Sequence, residues 1–486
     1  LQFSASDYAA GESDHAVVIT VTRSGDLSAA VSADYTTADG TASERSDYTT
    51  ARGRLTFAPG ETTKTFNVFV TDDKTVEGDE TVSLTLHDLR GDAALAAPAS
   101  AVLTVRDDDE HPTNTNPIDT SSFFIRQHYL DFLGREPDTF GLQFWTSEID
   151  SCGADEQCRE ARRVNVSAAF FLSIEFQETG FLVERFYRLA FTEHVRYETF
   201  VRDAHELGEG VVVGEGDWRG RLDANRRAYA DEFAARSAFG AEFPESLTAA
   251  EYVARLNTNS GGSLSAAERD ALVAGLQSGQ ETRASVLLKI ADDEDFRRRE
   301  FNPAFVLMQY LGYLRRDPDD PPDHTDAGYI FWLRKLDQFG GDWRAAEMVR
   351  AFISSIEYRA RFNEPLKEAS LGAPFTLGFG ETAVVLPDKL KVSFIDIGFD
   401  SRCPRNTQCP VPGGVNILIR ATKPGGDTAR FILRIAGGVP RPHPDNPPVS
   451  ALDYRFRLLQ LDPEPPLGPQ PPPYRALLLV EKELGL

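Results

Sequence analysis

Hydrophobic and polar positions alternate with a period of two along the first 110 residues. Segments 16–22, 31–35, 54–57, 65–70, 81–86 and 101–105 are alternating or β-branched, and turn residues such as Gly25, Gly40 and the Pro59-Gly60 pair separate them. Short strands at regular spacing over about 110 residues predict an all-β sandwich. From Ser121 the period becomes helical, as Phe124, His128 and Phe132 recur at i, i+4, and strand-like runs nearly vanish until about residue 370. Strands return at 383–386, 390–397, 415–421, 429–435, 454–461 and 476–480. The pattern predicts a β-sandwich over 1–110, a linker over 111–120, an α-helical domain over 121–365 and a C-terminal β domain over 371–486.

The helical region contains an internal repeat. Residues 124–138 (FIRQHYLDFLGREPD) align without gaps on 305–319 (FVLMQYLGYLRRDPD). Residues 141–145 (GLQFW) match 328–332 (GYIFW), and 170–176 (FFLSIEF) match 352–358 (FISSIEY). Three blocks in the same order define two copies of one unit, about 121–180 and 300–362, around a helical insertion. Trp145 and Trp332 fall at equivalent helical positions and read as core anchors.

Charge then separates function classes. The 486 residues carry 51 Lys+Arg against 75 Asp+Glu, a net charge of −24. That balance opposes binding to nucleic acid, which depends on Lys and Arg neutralising phosphates, and it opposes docking on anionic membranes. No purely apolar run is long enough to insert in a bilayer. Residues 1–110 hold 8 basic and 20 acidic residues, so 8 − 20 = −12, half of the total charge in under a quarter of the chain. Cysteine usage adds a compartment. The four cysteines form two local pairs of equal spacing, Cys152/Cys158 and Cys403/Cys409, without zinc-knuckle spacing or a neighbouring His. Two small-loop disulfides, and hence export to an oxidising compartment, fit this pattern; four reduced thiols are the alternative.

The candidate chemistry lies in the acidic positions of the first domain. Asp72-Asp73 ends one strand, Glu77, Asp79 and Glu80 begin the next, and Asp107-Asp108-Asp109 closes the segment. Strand-end loops of a sandwich gather at two poles, where crowded carboxylates either hold a hard cation such as Ca²⁺ or form a solvated acidic rim. No zinc-protease helix, nucleophile elbow or phosphate loop is present, so no enzymatic activity is expected.

Residues 1–110 resemble a Calx-β domain, the calcium-binding module of sodium/calcium exchangers and of many bacterial surface proteins. The resemblance rests on Gly11-Glu12, the run 35–42 (YTTADGTA), Ser46-Asp47-Tyr48, the run 55–61 (LTFAPGE), Asp72-Asp73, Glu77-Gly78-Asp79-Glu80 and Asp107 to Asp109. It implies Ca²⁺ as cofactor, held by Glu12, Asp47, Asp72, Asp73, the Thr75 carbonyl, Glu77, Glu80, Asp107, Asp108 and Asp109. Lys74 departs from it, standing where the exchanger-type pattern has a third consecutive acid. The duplicated blocks, with Arg126-Gln127-His128-Tyr129 and Gly134-Arg135-Glu136-Pro137-Asp138, resemble a phycobilisome-linker-like domain of unknown function. The block Asp400-Ser401-Arg402-Cys403-Pro404, followed by Cys409, resembles a small DSRCP-type β domain of secreted bacterial proteins, in which the two cysteines pair.

The expectation is an exported bacterial structural or adhesive protein, stiffened by calcium and placed outside the cell or on its surface. Its expected partners are further copies of itself in a filament, or other surface proteins and glycans, with strand addition at the edge near Leu1 as one route. The alternative is a secreted carbohydrate-binding or hydrolytic protein whose site lies in the helical domain, where most of Tyr187, Tyr197, Trp218, Tyr229 and Tyr252 are expected in the core and the remainder would line a groove.

Overall fold

The computed structural model describes residues 1–75, 78–109, 116–362, 367–379, 381–398, 400–402, 413–423, 427–435, 446–462 and 474–483. The chain forms a β-sandwich, then a helical region, then a second β domain. In the sandwich, one sheet orders Gln2–Phe3, Ala16–Thr22, Thr63–Val70 and Tyr48–Thr49. The other orders Asp7–Gly11, Ser100–Arg106, Glu80–Arg90, Val31–Asp39 and Arg52–Phe57. Alternation works as two-sheet packing requires: Ile19, Val21, Phe57, Val68, Val82, Leu84 and Leu103 point inward and are fully buried, while their neighbours face solvent. The edge near Leu1 is not open to strand addition. Leu1 O accepts from Ala96 N at 2.8 Å, and Phe3 N donates to Pro98 O at 2.9 Å, so residues 94–98 occupy it.

The packed helical body begins at Asn116, inside the stretch expected to be a linker. Ile118, in the short helix Pro117–Asp119, is fully buried, and Asn116 Nδ2 donates to Arg359 O at 2.8 Å. The two repeat blocks adopt one shape. Helix Ser121–His128 runs into a π-helical turn, Tyr129–Leu133, and ends at Gly134 with φ +62°. Helix Glu294–Met308 runs into a π-helical turn, Gln309–Leu314, and ends at Arg315 with φ +49°. The extra residue of each turn is supported by equivalent contacts. Arg135 grips Glu175 bidentately at 2.7 and 2.9 Å, and Arg316 grips Glu357 at 2.6 and 3.1 Å. Gly141 and Gly328 each lie under a tyrosine hydroxyl, Tyr129 and Tyr310, where an added Cβ would fall 2.2 and 2.6 Å from the oxygen. Trp145 packs on Phe170 and Trp332 on Phe352, at 6.0 and 5.7 Å between centroids. The two π-helical turns face each other through Phe132 and Tyr313, 5.1 Å apart.

Tyr197, Tyr229 and Tyr252 are core residues of this body and Tyr187 packs against it, so four of the five aromatics of the alternative groove serve the core, while Trp218 is half-buried at the start of helix Trp218–Ala234. Apolar periodicity cannot separate groove from core, and here burial took the rings. Cys152 and Cys158 are bonded, beside the junction of helices Thr139–Asp150 and Glu156–Leu172. Among the described residues no single helix is long and apolar enough to cross a membrane.

The C-terminal β domain begins earlier than the pattern indicated, with strand Lys367–Ser370 parallel to Thr382–Leu386. A five-stranded sheet packs on a four-stranded one through Leu377, Val392, Phe394, Ile417, Ile419 and Leu461. Arg402 is buried and pairs with Asp400 at 2.6 Å, which anchors the start of the cysteine block. Cys403 and Cys409 lie outside the described residues.

The repeat supplies a control for one buried titratable group. His128 is fully buried, with Nδ1 at 2.7 Å from Phe124 O and Nε2 at 2.9 Å from Ser167 Oγ. Burial lowers its pKa from 6.5 to about 4. Gln309 holds the equivalent position and donates to Phe305 O at 3.0 Å. Between those two values the unfolded chain binds the proton and the folded chain does not. Stability is therefore lost as pH falls from about 6.5 toward 4, by up to about 3 kcal/mol. His128→Gln is expected to remove that acid-side loss, measured as a shallower decline in the unfolding midpoint of the helical domain between pH 6.5 and 4.

Candidate metal centre

Four chain segments deliver carboxylates to one pole of the sandwich. Glu12 opens the one-turn helix Glu12–Asp14 and is buried. Asp72 and Asp73 follow strand Thr63–Val70, and Asp107, Asp108 and Asp109 follow strand Ser100–Arg106. Asp47 precedes strand Tyr48–Thr49 and is tied beside Asp72 by Thr71 N, which donates to Asp47 O at 2.9 Å. Each segment leaves a strand end, so the pairing of the strands determines which acids meet.

Two groups of oxygens converge. Atoms of Glu12, Asp72 and Asp108 lie within 4.8 Å of one another, as do atoms of Glu12, Asp107 and Asp109. Glu12 is common to both. The loops are shaped by short internal bonds: Asp73 Oδ1 accepts from Thr75 N at 2.7 Å, Asp107 Oδ2 from Gly78 N at 2.6 Å and Asp107 Oδ1 from Asp109 N at 2.8 Å. Asp47 Oδ2 accepts from Ser43 N at 2.6 Å. Asp47 Oδ1 and Asp109 Oδ2 are buried and have no hydrogen-bond partner among the described residues. Buried carboxylate oxygens without a donor fit an oxygen-coordinated hard cation.

Of the expected ligands, Glu12, Asp72, Asp107, Asp108 and Asp109 belong to these two groups. Asp47, Asp73, Thr75 and Glu80 stand outside both. Asp73 and Thr75 are buried at the pole, and Glu80 is the first residue of its strand. Glu77 lies outside the described residues.

Lys74 enters the centre as a tethered cation. Its Nζ is 3.2 Å from Asp72 Oδ1 and 3.1 Å from Asp109 Oδ1, so it bridges acids from the two converging groups. Partial burial works against the Lys74 charge, but the hydrogen bonds to Asp109 and Asp72 outweigh it and raise the ammonium pKa. Desolvation raises the Asp109 carboxyl, opposed by Lys74 and reinforced by Asp107 and Asp108. Away from this pole, the Asp-rich stretch 317–326 (DPDDPPDHTD) also meets a cation: Arg196 pairs with Asp317 at 3.0 Å and Asp319 at 2.5 Å.

The Calx-beta domain family matches residues 1–109. The sodium/calcium exchanger Calx of Drosophila melanogaster is 35% identical over 91 residues, covering 19% of this chain and 10% of that protein. Sodium/calcium exchanger 3 of Homo sapiens is 33% identical over 139 residues, covering 24% of this chain and 15% of that protein. Among solved structures, the apo-form Calx CBD1 domain aligns with 34% identity over 22% of this chain and 95% of that one, with a TM-score of 0.22. The calcium binding domain CBD12 of CALX1.1 aligns with 34% identity over 22% and 45%, also with a TM-score of 0.22. This chain spans between 10% and 15% of the length of the two exchangers. Residues 1–109 are a Calx-beta domain.

Lys74→Ala is expected to destabilise the cation-free sandwich, because Asp72 and Asp109 lose their common counter-charge. Lys74 is 37% exposed, so solvent screening limits the cost to about 1 kcal/mol. Calorimetry in chelator checks this; an unchanged or raised melting temperature would show that the ammonium does not offset the acidic repulsion.

Proposed function

We propose that residues 1–109 bind Ca²⁺ at the acidic pole, and that the chain belongs to an exported bacterial structural or adhesive protein stiffened by that ion. The observation carrying the first part is the convergence of Glu12, Asp72, Asp107, Asp108 and Asp109 within 4.8 Å groups on a Calx-beta sandwich. Glu12, Asp72, Asp107, Asp108 and Asp109 would hold the ion, with Asp47 beside them. Their hard oxygens suit a cation of flexible coordination, and the tethered Lys74 lowers the number of positive charges the pole still needs. The ion supplies charge neutralisation: carboxylates that repel when empty become a fixed cluster. The Cys152–Cys158 bond supports export, since a disulfide persists in oxidising compartments. A non-catalytic role is part of this reading, with further copies of the chain, other surface proteins or glycans as partners.

A second reading has one observation behind it. A groove of about 510 Å³ in the second repeat copy is lined by Tyr310, Phe331, Trp332 and Phe352 with Asp323 and Glu357. Aromatic faces beside carboxylates suit a carbohydrate, although Glu357 and Asp323 are both engaged by Arg316. Binding of this chain on a glycan array, abolished by Trp332→Ala, would favour that reading.

For the calcium reading, titration calorimetry with Ca²⁺ is expected to show binding. Free calcium at about one hundred times Kd should stabilise the sandwich by about 2.7 kcal/mol, reversed by chelator. Glu12→Gln is expected to abolish most of that increment, because Glu12 belongs to both ligand groups. For the assembly reading, light scattering and electron microscopy are expected to show polymers that loosen on chelation; a calcium-indifferent monomer would count against it.

A further inference from the structure

The helical body holds the backbone of three segments that carry the acidic pole, and it does so with three arginines. Arg126 Nη2 donates to His15 O at 3.0 Å and to Val70 O at 3.4 Å. His15 caps the turn that carries Glu12, and Val70 ends the strand that leads to Asp72. Arg315 Nη1 donates to Glu44 O at 2.7 Å and Tyr48 O at 2.8 Å, while its Nη2 donates to Thr49 Oγ1 at 2.7 Å. Arg361 Nε donates to Arg45 O at 2.9 Å. The carbonyls of residues 44, 45 and 48 flank Asp47 on both sides.

The arginines are themselves fixed from behind. Asp131, whose side chain is fully buried, accepts from Arg315 Nε at 3.1 Å and from Arg361 Nη1 and Nη2 at 3.1 and 3.0 Å, and Gln127 Nε2 adds a bond at 2.9 Å. Arg126 is held by Glu136 at 2.6 Å. Burial alone would push the Asp131 carboxyl up; Arg361 and Arg315 overcome this and hold it below the usual carboxylate range. A guanidinium offers five donors in a rigid fork, so one end can be locked on a carboxylate while the other fixes a loop. Arg315 also sits at φ +49°, where the equivalent residue of the first repeat copy is Gly134. A non-glycine residue in that backbone region is strained, and its side chain is the one that reaches the Asp47 loop.

We propose that Arg126, Arg315 and Arg361 of the helical domain are positioning residues for the cation centre, setting the spacing of its Glu12, Asp47 and Asp72 segments through the backbone carbonyls they hold. This rests on the reading of that pole as a calcium site. Groups that orient ligands from behind change metal affinity by about 10- to 100-fold when removed. Coupling of this kind is reciprocal, so bound calcium tightens the docking of the helical domain by the same factor.

The test uses the full chain and Ca²⁺ itself. Arg315→Gly removes the donors to the Asp47 loop while placing glycine at a backbone conformation that favours it, and Arg126→Ala removes the hold on the other two segments. Arg298→Ala, on the exposed face of its helix, serves as the control. Calorimetric titration is expected to show calcium affinity about tenfold weaker in each of the first two variants and unchanged in the control. The calcium-induced rise in melting temperature is expected to shrink in the same two variants. A purely structural role would lower the melting temperature of the cation-free protein and leave the dissociation constant where it was; that result overturns the proposal while leaving the calcium reading standing. If the wild-type chain takes up no calcium, the calcium reading falls and the proposal falls with it.

Discussion

The junction between sandwich and helices turns on one buried carboxylate. Asp131 has no exposed side-chain surface, and its two oxygens gather Arg315, Arg361 and Gln127. Such a charge is tolerable in the interior only when fully paired, and stripping a partner from a buried ion pair costs about 3–5 kcal/mol. Asp131 belongs to the first repeat copy, Arg315 to the second, and both arginines reach the sandwich. One residue thereby joins both halves of the duplicated unit to the domain that precedes them.

Charge continues across the rest of this boundary. Arg54, on sandwich strand Arg52–Phe57, pairs with Asp34 at 2.6 Å and with Glu232 of the helical body at 3.2 Å. Glu232 passes to Arg236 at 2.8 Å, and Arg236 to the fully buried Asp203 at 2.7 Å, which also accepts from Tyr229. Arginine is the common cation in this chain of contacts because its planar head serves two acceptors at once and keeps its proton when buried. Across this boundary the ion pairs run from sandwich arginines to helical acids, Arg52 to Glu198 and both Arg54 and Arg90 to Glu232, while the helical arginines Arg126, Arg315 and Arg361 take backbone carbonyls of the sandwich.

Much of the architecture was legible because alternation and helical period directly report which side of an element is buried. Ala16–Thr22 and Leu390–Ile397 coincide with the patterned segments, and the repeat blocks map onto equivalent helices and turns. Short strands such as Asp7–Gly11 and Lys367–Ser370 escaped, because four or five residues with few apolar positions carry almost no periodic signal. The carboxylates of the pole were readable as residues, through resemblance, but not as two groups sharing Glu12, since convergence depends on strand pairing. Arg126 lies in a block that carried a resemblance, yet nothing in the sequence marked it, Arg315 or Arg361 as holding the pole, because they recognise carbonyl oxygens, which every residue has. One trace was present: Arg315 aligns with Gly134 within an otherwise matching block, an exchange of glycine for a long cation where the backbone favours glycine.

That exchange has a further meaning for the duplicated unit. The position of Asp131 in the first copy is Gly312 in the second, and the position of Gly134 in the first is Arg315 in the second. Each copy holds one member of an ionic couple and has glycine at the position of the other. The two copies, alike in fold, are thus unlike counterparts at this contact, as a plug and a socket are. Asp131 of the first copy and Arg315 of the second each find their charge partner in the other copy, so the duplicated unit is held together as a pair rather than as two self-sufficient repeats.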